Sequence, residues 1–216
     1  MSEKLIVNRK IRYIGGKILK QILMTLIATL VFIIYGSIIN DRDSVEVIAR
    51  INDKLYLYVL FTSAWLLIAY SVDAAIIYFN NHVSYGATRK EALCDIILIE
   101  LVYMFVSFCI ICIIRMFNNG QIISPQLSMA ILLMTFGVGL LLGVIVMTLG
   151  RKGYYIFVAF AVMLGGLIVL GAKSKDELMS IGIQMHTGVC VIVSILFAVL
   201  SIAIYAAVTR KISVRI

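Results

Sequence analysis

The chain has 216 residues, 62% of them hydrophobic, and a mean hydropathy of +1.08. These values lie far outside the range of water-soluble domains, so they exclude a soluble enzyme or a soluble binding module. The net charge of +8 would suggest nucleic acid as the partner of a soluble protein. In a membrane protein we expect the basic groups to meet anionic lipid or a cytosolic protein instead, and no nucleic acid.

Residues 3–20 precede the first long apolar run and predict a basic amphipathic helix. Apolar side chains recur at helical spacing along one stripe, and basic side chains occupy the opposite face and the flanks. The residues of the stripe are Val7, Ile11, Ile14 and Ile18. Such a helix lies in the cytosolic interface, with a bend at Gly15-Gly16 as one option. A simple topology anchor is the alternative, and the two interpretations are compatible.

Six long apolar runs follow, each of about 19–24 residues, the length that an α-helix needs to cross roughly 30 Å of hydrocarbon. They cover residues 21–39, 56–79, 93–115, 127–149, 154–172 and 186–208. Irregular backbone facing lipid would leave N–H and C=O groups unpaired, so the runs must be helices. The sequence therefore predicts an all-α, polytopic protein with six transmembrane helices in one domain, residues 1–216. The longest loop in this scheme covers residues 40–55.

Lys and Arg are divided unevenly between the two sides of this six-span scheme. With the N-terminus in the cytosol, thirteen of the 19 lie on the inner side, and the other six lie on the outer side among Asp and Glu. This distribution is typical of the positive-inside rule. It predicts that both termini are cytoplasmic.

The segment between the second and third runs, residues 80–93, is the most specific local signal. Gly86 permits a turn, and Thr88 with Glu91 forms a capping box at the start of the third helix. We predict a structured, charged cytosolic elbow that can receive a push from a soluble partner. Its candidate contact residues are Tyr85, Gly86, Thr88, Arg89, Lys90 and Glu91. A capped helix start with anchoring charges is the alternative.

Two carboxylates fall inside the predicted spans, where an unpaired charge is costly. Asp73 and Glu100 each lie about 10 Å from the cytosolic ends of adjacent antiparallel helices. As an intramembrane acidic pair, they would attract cationic cargo at an inner gate or relay protons. Alternatively, each is paired with Lys17, Lys20 or backbone donors near the interface.

Cysteine and proline give two local signals in the middle of the chain. Cys109 and Cys112 form a C-x-x-C in the third run, but no His or carboxylate cluster accompanies them. We therefore expect small hydrophobic packing and no metal site. Ser124 and Pro125 are predicted to be the N-cap and first residue of the fourth helix.

Small residues in the fourth and fifth runs mark sites of close helix packing. Gly139 and Gly143 form a G-x-x-x-G motif, and Ala161 and Gly165 form a similar step. Either pair can serve dimerisation or packing within one chain. Further along, Ser174 and Glu177 fit another capping box, which predicts a short helix in the outer loop before the last run.

These features together resemble the membrane subunits of type-2 ABC exporters. The resemblance rests on the six-span layout, the basic N-terminal helix, the helical outer loop and the Gly-x-Thr-Arg-Lys stretch that begins at Gly86. In that family a G-x-S/T-R stretch after the second span belongs to the element that contacts the ATPase. Gly86, Thr88 and Arg89 hold the matching positions here. The chain looks most like compact bacterial permeases that export amphipathic or antimicrobial peptides, or confer immunity to them.

The resemblance implies a non-catalytic permease in a bacterial plasma membrane. Its partners would be a second permease, identical or homologous, and two copies of a cytosolic ABC ATPase. ATP and Mg²⁺ would bind that ATPase, since this chain lacks a P-loop on its cytosolic side, and no cofactor is expected on the chain itself. The family also favours the first and fifth spans at the interface between permeases.

Two other classes of function are alternatives to an exporter subunit. A secondary, proton-coupled transporter would use Asp73 and Glu100, although unbroken spans argue against it. An intramembrane enzyme is disfavoured, because the two histidines, His82 and His186, fall on opposite faces of the membrane and cannot share a site.

Overall fold

A computed structural model describes residues 3–39, 44–78, 88–117, 124–150, 152–159 and 187–211. Within these ranges the chain is helical almost throughout and contains no β-strand, which confirms the all-α prediction for this part of the chain. The helices are α1 (Glu3–Ile39), α2 (Ser44–Asp73), α3 (Arg89–Phe117), α4 (Pro125–Leu149), α5 (residues 152–159) and α6 (Thr187–Lys211). A π-helical turn, Ala74–Tyr78, directly follows α2.

Four helical stretches among the described residues are long and apolar enough to cross a membrane. They are Leu55–Ile77, Arg89–Phe117, Pro125–Leu149 and Gly188–Lys211. They coincide with the second, third, fourth and sixth predicted runs, so the chain has the helices of a membrane protein. The first run, 21–39, is helical but is not one of these four. Most of the fifth run lies outside the described residues, so the six-span count and the orientation of the termini stay predictions.

The predicted loop over residues 40–55 is wrong from Ser44 onward, because α2 begins there. Glu46 precedes Arg50 by one helical turn, and an acidic residue four positions before a basic one supports a helix. The polar residues that suggested a loop therefore belong to a helical extension of the second span.

α1 joins the predicted interfacial helix and the first apolar run into one helix of 37 residues. The α-helix continues through Gly15 and Gly16 without a break. Apart from the neighbouring backbone of α1, no described atom lies within 4 Å of a Cβ built at either position. The predicted interfacial position of residues 3–20 remains an expectation.

α2 is the central helix of the described bundle. It packs against α1, α3 and α4, while α4 also packs closely against α6. The large side chains that fill the shared core are fully buried: Leu60, Leu67, Tyr103, Phe136, Leu140 and Tyr205. Helix packing of this kind sets the positions of the polar groups described below.

The middle of α1 turns its polar residues inward and its apolar residues outward. Gln21, Thr25 and Thr29 recur every four residues and are buried. The hydroxyl oxygen of Thr25 lies 2.6 Å from that of Tyr103 on α3, and those of Thr29 and Thr62 on α2 lie 3.0 Å apart. The outward face carries Leu19, Leu23, Met24, Leu26, Ile27, Leu30, Val31 and Ile34. This arrangement suits a membrane, where hydrogen bonds join neighbouring helices and apolar side chains face the lipid tails.

The start of α4 confirms the predicted cap. Ser124 has extended backbone (φ −68°, ψ 150°), its side chain accepts a hydrogen bond from the Leu127 N–H at 3.2 Å, and Pro125 is the first helical residue. At the other end, Gly150 adopts a φ of +58° and donates its N–H to Val146, which closes the helix. Both ends of this span are therefore fixed by local sequence.

Candidate functional site

The predicted capping box at the start of α3 is confirmed. The Thr88 N–H donates to Glu91 Oε2 at 2.9 Å, and the Glu91 N–H donates to Thr88 Oγ1 at 3.2 Å. Two N–H groups that the helix leaves unpaired are thus satisfied reciprocally. Lys90 is exposed beside them, whereas Tyr85 and Gly86 lie outside the described residues. The described half of the elbow is a capped, charged helix start. Its contact with a partner stays a prediction.

Arg89 connects this helix start to the end of α6, a contact that the sequence analysis missed. Its guanidinium donates a hydrogen bond to the backbone carbonyl of Arg210 at 3.1 Å. The last carbonyls of a helix lack partners within the helix, and a cationic side chain there satisfies one of them and suits the helix dipole. The two residues are 121 positions apart, so no local pattern could have revealed the contact.

Glu100 lies in the sealed centre of the bundle. Its side chain is 0% exposed, and its Oε2 accepts a hydrogen bond from Ser71 Oγ on α2 at 2.7 Å. The other carboxyl oxygen, Oε1, has no hydrogen-bond partner among the described residues. Tyr205 of α6 lies beside the same part of α2, because a Cβ built at Gly143 would be 3.1 Å from the Ser71 carbonyl oxygen and 3.5 Å from Tyr205 Cε2. Three helices therefore contribute polar groups to one buried cluster.

The G-x-x-x-G motif of α4 packs against α2 at this cluster. A Cβ at Gly139 would lie 2.7 Å from Ser71 Oγ and 3.2 Å from the Ile68 Cα, and one at Gly143 would lie 3.1 Å from the Ser71 carbonyl oxygen. Both glycines are buried inside the chain, so they serve packing within one chain. Ala161 and Gly165 lie outside the described residues.

Asp73 occupies a different setting from Glu100. It is exposed, and it lines an open cleft of about 230 Å³ together with Lys17 and Lys20 of α1. Burial lowers the pKa of Lys17 below its ordinary value, the charge of Lys20 lowers it further, and Asp73 acts in the opposite direction. The two carboxylates thus have separate surroundings: Asp73 faces two lysines, and Glu100 holds the hydroxyl of Ser71.

Gln21 is the second residue that the sequence analysis missed. It forms part of the cleft wall and is 7% exposed, yet neither its Nε2 nor its Oε1 has a hydrogen-bond partner among the described residues. A buried amide without a partner is costly. A lone glutamine at the start of an apolar run could have signalled this, but the sequence does not show which helix it faces.

The cysteines and carboxylates of the described residues form no group of three that could hold a metal ion. Cys109 and Cys112 are free thiols, each half-buried on α3. Their surroundings match small side chains packed in a helix bundle.

Comparison of the chain with protein-family models, with curated proteins and with solved structures finds no match.

Proposed function

We propose that this chain is the membrane subunit of an ATP-driven ABC exporter in a bacterial plasma membrane. It works without catalytic activity of its own and changes conformation when a separate cytosolic ATPase binds and hydrolyses ATP. Two ATPase subunits and a second permease, identical or homologous, complete the transporter. Its cargo is an amphipathic or antimicrobial peptide, or another hydrophobic compound.

The observation that carries the proposal is the hydrogen bond between Arg89 and the carbonyl of Arg210. The capping box makes residues 88–91 a rigid extension of α3, and Arg89 fastens this extension to the end of α6. A push on the elbow would therefore reach two membrane-crossing helices at once. Rigid elements joined in this way are what transmits a displacement from one site to another.

The packing at Gly139 and Gly143 supports the need for a second permease. α4 and α2 approach so closely there that no cargo could pass between them. With this contact closed, we place the path for an amphipathic compound between two such chains, as the resemblance to exporters implies.

The test is co-expression with a cognate ABC ATPase, followed by purification in a mild detergent. We expect a stable complex whose ATPase activity falls at least several-fold in Lys90→Glu, because the substitution reverses a charge on the surface that we propose contacts the ATPase. Lys90 is chosen because it is exposed, and the described hydrogen bond to α6 belongs to Arg89. Lys152→Glu is the matched control: it also reverses an exposed lysine at the end of the bundle that carries the elbow, and should leave the activity unchanged. Failure to isolate any complex, or equal effects of the two substitutions, would contradict the proposal.

A proton-coupled secondary transporter is the second candidate, and one observation favours it. Glu100 is a fully buried acid with an oxygen that no described residue bonds, and intramembrane acids of this kind occur in proton relays. Transport driven by a proton gradient in vesicles without ATP, and abolished by Glu100→Gln, would favour this candidate over the exporter.

A further inference from the structure

We propose that the cleft between α1 and α2 is a binding site for an anionic phospholipid whose headgroup is a phosphodiester with free hydroxyls. The site is formed by Lys17, Lys20 and Gln21 of α1 with Tyr70 and Asp73 of α2. It is independent of whether the chain works with an ATPase, since it concerns binding by this chain alone.

Gln21 is the first line of evidence. Its side chain is more than nine-tenths buried in the cleft wall, and both ends of its amide lack partners among the described residues. An amide offers two N–H donors and one carbonyl acceptor, so it calls for a ligand with both kinds of group. Both amide atoms are enclosed in the cleft wall, so the side chain has to turn into the cleft when the ligand binds. A phosphate oxygen then accepts from Nε2, and a headgroup hydroxyl donates to Oε1.

The charges in the cleft give the second line of evidence. Lys17 and Lys20 are cationic and Asp73 is anionic, so these three groups sum to one positive charge. A phosphodiester carries one negative charge and matches that sum, whereas a phosphate monoester adds a charge that Asp73 would repel. The Asp73 carboxylate is also an acceptor for a headgroup hydroxyl.

The apolar part of the cleft indicates a lipid in place of a soluble anion. Met24 and Leu66 line the same cleft, and Met24 continues into the exposed apolar face of α1 beside Leu23 and Ile27. Acyl chains attached to a headgroup in the cleft would lie along that face. Basic pockets between membrane helices bind anionic headgroups in this manner.

The test measures lipid binding to the purified full chain by native mass spectrometry, with phosphatidylglycerol and phosphatidylcholine added in equal amounts. We expect at least tenfold tighter binding of phosphatidylglycerol. Lys17→Gln combined with Lys20→Gln should weaken it about thirtyfold, from the contribution of two surface lysines. Gln21→Leu should weaken it about tenfold, and the control Lys152→Gln, which removes an exposed lysine outside the cleft, should not change it.

Glycerophosphoglycerol, the same phosphodiester headgroup without acyl chains, separates the two sources of the phosphate group. We expect no competition from it at millimolar concentration, because it lacks the acyl chains. Displacement of phosphatidylglycerol by glycerophosphoglycerol would overturn the lipid assignment. Equal binding of the two lipids, or unchanged binding in Gln21→Leu, would overturn the site itself.

Thermal unfolding shows whether Gln21→Leu loses binding while it remains folded. Without lipid, Gln21→Leu should melt at or above the wild-type temperature, because leucine removes an unpartnered buried amide. Phosphatidylglycerol should raise the melting temperature of the wild type more than that of the variant, since stabilisation by a ligand falls as its affinity for the folded state falls. Equal stabilisation of both would contradict the proposal.

Discussion

The sealed core around Glu100 and the open cleft around Gln21 contain the same kind of group in opposite surroundings. Each residue is buried and has a polar atom that no described residue bonds. At Glu100, Ser71 and the glycines of α4 fill the neighbouring space. At Gln21, lysines and an aspartate border an open volume. We infer that a buried polar group contributes to packing where other helices enclose it, as at Glu100, and is available for a ligand where it borders a cleft, as proposed for Gln21.

The largest expected loss of stability comes from adding a side chain to the closely packed core. Gly139→Leu places side-chain atoms where a Cβ alone would already lie 2.7 Å from Ser71 Oγ, so we expect a loss of about 3 kcal/mol or more in unfolding free energy. Gly16→Leu is the matched control, because no described atom apart from the neighbouring backbone of α1 lies within 4 Å of its Cβ position. Thermal unfolding in detergent measures both. Similar melting temperatures for the two variants would show that the core is not tightly packed.

A smaller loss is expected when the core loses its hydrogen bond. Ser71→Ala removes the donor to Glu100 Oε2 and should lower the unfolding free energy by about 1–3 kcal/mol, because a buried carboxyl is left without a partner. Asp73→Asn, two residues further along α2 in the cleft, should change it by less than about 0.5 kcal/mol since the side chain is exposed. In the double variant Ser71→Ala with Glu100→Leu, stability should recover toward the wild type. Equal effects at Ser71 and Asp73 would remove the distinction between core and cleft.

The contact between Arg89 and the end of α6 is less buried than the core, so we expect a smaller effect on stability there. Arg89→Gln weakens the bond to the Arg210 carbonyl, and we expect a loss of about 1 kcal/mol and faster amide hydrogen exchange in the last turns of α6. Lys90→Gln removes the neighbouring charge and should leave that exchange unchanged. If both variants exchange alike, the elbow and α6 are not connected through Arg89.

The smallest effect concerns pH and the cleft. Burial lowers the pKa of Lys17 below 10.5, so the unfolded chain binds more protons than the folded chain between that lowered pKa and 10.5. Stability should therefore rise with pH across this window, and Lys17→Gln should remove the rise. Denaturant unfolding at several pH values measures it, with Lys152→Gln as the control. A fall in wild-type stability across the window would contradict the cleft environment described here.

Features that depend on a few neighbouring residues could be predicted from the sequence. The cap at Ser124 and the reciprocal box of Thr88 with Glu91 are local signals, and the structure has both. The spans that the structure describes follow from long apolar runs in the same way. The start of α2 at Ser44 was not predicted. The charged residues of this segment suggested a loop, although Glu46 and Arg50 are spaced as in a helix.

Features that depend on which helices meet could not be predicted. Nothing near Gly139 in the sequence indicates that Ser71 is its neighbour, and nothing near Gln21 indicates a cleft shared with α2. The π-helical turn Ala74–Tyr78 contains neither Pro nor Gly, so no residue in it indicates a change of helix type. The predicted acidic pair is a further case. The sequence does not show that Asp73 lines a cleft with two lysines whereas Glu100 is fully enclosed.

Transport in sealed vesicles distinguishes an ATP-driven permease from a carrier that works alone. The chain, alone or with its ATPase, is reconstituted and the movement of a fluorescent cationic amphipathic peptide across the membrane is followed. We expect movement only when ATPase and ATP are both present, and no movement by the chain alone under a proton gradient. Gradient-driven movement by the chain alone would contradict this expectation.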